Sequence, residues 1–142
     1  MQVMNRCQIP VMPLIHLLDG LLLDQSAMLL KDETDLVAYA YHVAGAVGLL
    51  MCPVLGCGDR TAFRFAVDMG IGMQLTNIAR DILEDAQMGR RYLPESWTGQ
   101  LSPDQIVACA KAPESQNYKQ VQAAADRLLT LADQYYESGR LG

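Results

Sequence analysis

Basic residues are scarce and scattered in this chain. Eleven lysines and arginines stand against sixteen aspartates and glutamates, a formal net charge of −5 over 142 residues, and the cations form no run. Nucleic-acid affinity rests on clustered cations that neutralise phosphates, so a nucleic-acid partner is not expected. Cys7, Cys52, Cys57 and Cys109 contain no Cys-x-x-Cys spacing and no pair of histidines near them, which argues against a structural zinc site. Reduced thiols in a cytoplasmic protein are the simplest reading of the four. The amino end, Met1-Gln-Val-Met-Asn-Arg6, lacks a basic start followed by an apolar block, so no secretory leader is expected. Alternating strand patterns, repeats and low-complexity segments are missing as well. An all-α fold is left.

Charge is absent altogether from Leu36 to Cys57. A stretch of that length could span a bilayer. It also holds Tyr39, Tyr41, His42, the glycines Gly45, Gly48 and Gly56, and Pro53, which should end or kink a helix before Cys57. We read it as a buried core helix. A small helical membrane protein is the competing reading, and solubility without detergent would exclude it.

What is present is apolar and helical in period. The chain is 51% hydrophobic and short enough for one domain at most. A first helix is expected from Pro13 to about Gln25, apolar at Leu14, Leu17, Leu18, Leu21 and Leu22. A second should start after a cap at Thr34 or its neighbour and run to about Met51. The longest is expected from Arg60 to Ala86, closed by Gly89. Ser102-Pro103 opens a short helix to about Ala110. The last should run from Pro113 to about Glu137, with Val121, Ala124, Leu128 and Ala132 among the residues of its buried face. Met51, Met69 and Met73 read as core gap-fillers.

Within the long helix, Asn77, Asp81 and Asp85 follow at intervals of four, and Gln74 precedes Asn77 by three. A helix turns about 100° per residue, so all four side chains rise in one stripe. Ile71, Leu75, Ile78, Ile82 and Ala86 occupy a neighbouring, core-facing side. A row of carboxylate and amide oxygens suits a hard divalent cation such as Mg²⁺, which completes its shell with water or substrate phosphate. An ordinary solvated helix face has the same spacing.

The surrounding residues carry more information. Gln74-Leu-Thr-Asn-Ile-x-Arg-Asp-x-x-Glu-Asp85, followed by Gly89-Arg-x-Tyr-Leu-Pro94, resembles the second aspartate-rich motif of the phytoene/squalene synthase family. Tyr39-Ala-Tyr-His-Val-Ala-Gly-Ala-Val-Gly48 and Leu18-Asp-Gly-x-x-x-Asp24 resemble two further segments of that family, in its order and spacing. The resemblance covers about Pro10 to Trp97. It implies a partial isoprenoid-synthase helical bundle around a central cavity, and a prenyltransferase that uses Mg²⁺ (or Mn²⁺) on isoprenoid diphosphates. It further implies metal ligation by Asn77, Asp81 and Asp85, and catalytic roles for Tyr39, Tyr92 and Arg80. Substrate contacts fall to Gln74, Asn77, Arg90, Ala44, Val47 and Gly48. Several of these residues have plainer uses: an Arg80–Glu84 salt bridge, a packed loop tyrosine at Tyr92, close helix packing at Gly45 and Gly48. His42 reads as a core histidine rather than a base, and Arg91 is given no role.

No aspartate stands before Leu18, where the family's first aspartate-rich motif would lie. The chain therefore reads as a single partial domain over residues 1–142, expected to be inactive alone. The phytoene branch is favoured: head-to-head condensation of two geranylgeranyl diphosphates, as in carotenoid biosynthesis. Squalene or presqualene diphosphate synthesis from farnesyl diphosphate is the alternative within the class. A non-catalytic squalene-synthase-like assembly protein is the alternative outside it. A cytoplasmic location is expected, with peripheral membrane association compatible with it.

Overall fold

A computed structural model describes Cys7, residues 9–25 and residues 29–142. The chain forms α1 (Val11–Asp24), α2 (Glu33–Ala40), a π-helical segment (Tyr41–Gly45), α3 (Ala46–Val54), α4 (Arg60–Gln87), α5 (Glu95–Thr98), α6 (Pro103–Cys109) and α7 (Gln116–Gly139). No strand occurs among the described residues.

Local chemistry sets most boundaries. Asp32 caps α2 by accepting from the Asp35 N–H at 3.1 Å, so the cap lies ahead of Thr34, which sits inside the helix. Asp59 caps α4 through the Thr61 N–H at 2.8 Å. Ser102 and Gln105 exchange side-chain-to-backbone bonds in a capping box, with Pro103 at the first helical position. Ser115 caps α7, which starts at Gln116, three residues later than the start the sequence suggests at Pro113. α3 ends at Val54, one residue past Pro53 and before Cys57, as a proline there predicts.

α4 is the central rod. It packs most extensively on α7, and also on the π segment, α3 and α6. Leu36, Tyr39 and Ala40 of α2, Ile71, Leu75 and Ile78 of α4, and Ala124, Leu128 and Ala132 of α7 form the main core. Gly48 lets α3 touch α4 directly: a Cβ there would lie 2.3 Å from the Ala66 carbonyl oxygen. The run Glu33–Val54 is long and apolar enough to cross a membrane, yet its inner side packs against α1 and α4.

Packing departs from the apolar spacing of α1 and overturns the core reading of three methionines. α1 buries Pro13 and Gly20, whereas Leu18, Leu21 and Leu22 are exposed. The helix docks by its smallest residue, Gly20, whose missing Cβ makes room for His42 and Val43. Met51, Met69 and Met73 are also exposed rather than core-filling.

Candidate active site

Ile71, Leu75 and Ile78 hold one side of α4 in the core, and that fixes where the next side points. Gln74, Asn77, Asp81 and Asp85 are each half-buried and line one polar cavity of about 260 Å³. Across it stand Asp24, Tyr39 and Tyr92.

Asp24, the last residue of α1, is the junction of this far wall. Its Oδ1 accepts from the Tyr39 hydroxyl at 2.9 Å and from the Tyr92 hydroxyl, and its Oδ2 lies 3.7 Å from Arg90. The two tyrosine rings stack, with centroids 5.2 Å apart and planes 17° from parallel. Burial, then the bond to Asp24, pushes both phenols above their ordinary pKa, so both stay protonated donors at neutral pH. Neither composition nor helical spacing assigns Asp24 a role in the site. The Leu18-Asp-Gly-x-x-x-Asp24 segment was the signal that could have marked it.

The end of α4 brings Arg90 to this place. Gly89 adopts φ +76°, the Gly89 N–H donates to the Ala86 carbonyl at 3.0 Å, and the Arg90 N–H donates to the Asp85 carbonyl at 2.8 Å. These are the two bonds of a Schellman motif, and they seat Arg90 beside Asp85.

The acids of the stripe are unequal. Arg80 makes a bidentate pair with Asp81, both contacts at 2.6 Å, instead of bridging Glu84. Adjacent side chains on a helix seldom meet, but here Arg80 is exposed and free to fold back. Its hydrogen bonds hold Asp81 below the usual carboxylate range. Asp85 is shifted upward, first by burial, then by the charge of Asp81; Arg90 offsets this in part, and Asp24 and Glu84 add to it. Its charge is therefore under-compensated. Among the described residues no three His, Cys, Asp or Glu side chains gather closely enough to hold a metal by themselves. The donors facing the cavity are all oxygens, and an under-compensated carboxylate among them fits a hard divalent cation that takes its other ligands from water or substrate.

Other candidates lie elsewhere. Ala44, Val47 and Gly48 do not line this cavity. Gly48 faces the Ala66 backbone, the Ala44 carbonyl is pressed against Gly70, and Val47 is on the surface. Glycines at 48 and 70 bring backbones together. His42 bonds the Ala38 carbonyl through Nδ1 at 2.6 Å, and Tyr41 bonds His16 at 2.8 Å. Arg91 is buried and ties down the loop before α6, donating to the carbonyls of Leu101 at 2.7 Å and Gly99 at 3.3 Å.

A family profile described as squalene/phytoene synthase matches residues 1–142. The chain belongs to the squalene/phytoene synthase family. Among squalene/phytoene synthases, a 15-cis-phytoene synthase of Enterobacter agglomerans is 38% identical over 125 residues, covering 88% of this chain and 41% of that protein. A phytoene synthase of Pseudescherichia vulneris is 39% identical over 135 residues, covering 94% of this chain and 41% of that protein. A crystal structure of a dehydrosqualene synthase in complex with ligand superposes with a TM-score of 0.72 at 31% identity, covering 93% of this chain and 45% of that one. The chain thus spans about two fifths of the length of the curated relatives it matches. Its all-α architecture is that of an isoprenoid-synthase helical fold.

Proposed function

We propose that this chain forms part of the active site of a phytoene synthase, a prenyltransferase that condenses two geranylgeranyl diphosphates head to head with Mg²⁺. The observation that carries the reading is one cavity with an oxygen stripe on α4 and the Asp24–Tyr39–Tyr92 cluster opposite. The similarity to proteins named phytoene synthase favours this branch over squalene formation.

Asn77, Asp81 and Asp85 would hold the Mg²⁺. When bound, the ion supplies charge neutralisation to the departing diphosphate, lowering the cost of breaking the allylic C–O bond. Arg80 is exposed and can exchange Asp81 for a diphosphate oxygen. Arg90 does not line the cavity itself but stands 3.7 Å behind its Asp24 wall, where a second cation favours the same anion. Gln74 adds a neutral amide donor on the same stripe. Tyr39 and Tyr92 remain neutral and present stacked ring faces, which stabilise positive charge without reacting with it. Asp24 fixes both hydroxyls, so neither ring can turn away. We extend the reading to a cytoplasmic protein that meets the membrane peripherally, where its hydrocarbon-tailed substrates reside.

Calorimetric titration of the purified chain with inorganic pyrophosphate tests the site. Binding is expected in Mg²⁺, abolished by EDTA, and weakened at least about tenfold in Asp85→Asn, the loss of one charged ligand contact. Equal binding in EDTA, or in the variant, would overturn the assignment. With half the expected acidic ligands, the 142 residues alone are expected to give no turnover. Solvent extraction after incubation with geranylgeranyl or farnesyl diphosphate checks this, and squalene as the sole product would favour the alternative branch.

A further inference from the structure

The turn between α3 and α4 has its own chemistry, away from the cavity. α3 ends in the same kind of motif as α4. Gly56 adopts φ +78°, its N–H donates to the Pro53 carbonyl at 3.2 Å, and the Cys57 N–H donates to the Cys52 carbonyl at 2.9 Å. In a Schellman motif these bonds bring the third residue from the helix end against the second residue past the cap, a place usually filled by an apolar contact. In this chain both places are cysteine.

The two thiols differ in access. Cys52 is buried at 7% exposure, while Cys57 is only half-buried, its Sγ making a weak 3.9 Å contact to the Asp59 carbonyl. The Cys52 thiol is pushed up first by burial and next by the neighbouring Cys57. The 2.9 Å backbone bond between the two residues holds their backbones together, and a disulfide requires such closeness, with Cα atoms about 4.4–6.8 Å apart. The remaining cysteines, Cys7 and Cys109, lie at other points of the chain.

We propose that Cys52 and Cys57 form a reversible dithiol–disulfide site at the carboxyl end of α3, oxidised by small-molecule disulfides. The more accessible Cys57 thiolate attacks the disulfide and forms a mixed disulfide, releasing one thiolate. The Cys52 thiolate then attacks the Cys57 sulfur, forming the internal S–S bond and releasing the second. The two protons from the cysteines pass to the two released thiolates, and the small disulfide takes up the two electrons. The product covalently fixes the turn that leads through Asp59, the cap of α4, into the helix bearing the oxygen stripe.

Peptide mapping of the purified chain in glutathione redox buffers tests this. Trypsin releases Asp32–Arg60, which contains Cys52 and Cys57 and no other cysteine. The expected result is a loss of about two mass units from that peptide, the signature of one internal disulfide, reversed by dithiothreitol. Cys52→Ser should convert the product to a glutathione adduct on Cys57, and Cys57→Ser should leave the peptide unmodified. A stable adduct on Cys57 in the wild-type chain would overturn the proposal. So would an unchanged dithiol at every ratio of oxidised to reduced glutathione, leaving the pair as a plain apolar contact.

Discussion

The Tyr92 hydroxyl donates to the Asp24 carboxylate across 68 positions of chain. The bond joins the end of the first helix to the loop after the longest one, and Tyr39 shares the same oxygen. Removing one neutral donor from a half-buried carboxylate costs about 1 kcal/mol, and more where the partner is charged. Tyr92→Phe is therefore expected to lower the stability of the chain by about 1–2 kcal/mol in urea titrations. Combined with Asp24→Asn, the loss should fall short of the sum of the single changes by more than about 0.5 kcal/mol. Strict additivity would show that the two side chains do not depend on each other.

Asp85 sits where its charge is disfavoured, by burial first and by Asp81 second. Its raised pKa means that the folded chain holds this proton more tightly than the unfolded one. That contribution to stability is full below the ordinary carboxylate pKa and lost as pH rises through the folded value. At neutral pH in EDTA, Asp85→Asn is thus expected to melt above the wild type, and the gap should close in acid. Adding Mg²⁺ should raise the wild-type melting temperature and not that of the variant. Thermal melts across pH, with and without the ion, read both effects.

Arg80 now satisfies both oxygens of Asp81. A cation must compete with it for the same carboxylate. Arg80→Gln should therefore bind Mg²⁺ more tightly than the wild type in the absence of diphosphate, by calorimetry. A fall in affinity would mean that the guanidinium orients Asp81 for the ion. Asp81 itself is held low by the same hydrogen bonds, so its stabilising contribution is present above the ordinary carboxylate pKa and fades as pH drops through the folded value.

Gly48 tests the packing of α3 on α4. A Cβ there would meet the Ala66 carbonyl oxygen at 2.3 Å and its carbon at 2.7 Å. Backbone cannot rotate aside as a side chain can, so Gly48→Ala should destabilise by about 1–3 kcal/mol in guanidinium unfolding. Val47→Ala, one position earlier and 36% exposed, should change stability by no more than about 0.5 kcal/mol. Similar effects at both positions would contradict the close approach.

Much of this was legible in the sequence, for local reasons. The helical period alone places Gln74, Asn77, Asp81 and Asp85 on one stripe, since no distant contact is needed to know where a side chain points on a rod. Ser102-Pro103 with Gln105, and Gly89 after the long helix, are end signals whose bonds lie within a few residues. The choice of partners was less legible. Glu84 stands at the usual helical spacing from Arg80, yet the exposed guanidinium folds onto Asp81. The exposed leucines of α1 have a buried helix's periodicity, but packing gave the contact to Gly20.

The sequence by itself determined the helices, their ends and the alignment of the oxygen ligands, because those depend on residues within one or two turns of each other. Only the tertiary structure decided that Asp24 meets Tyr39 and Tyr92 across the cavity from that row. Such contacts depend on how three segments pack around a shared core, and the spacing of residues along a chain carries no record of which surfaces will meet.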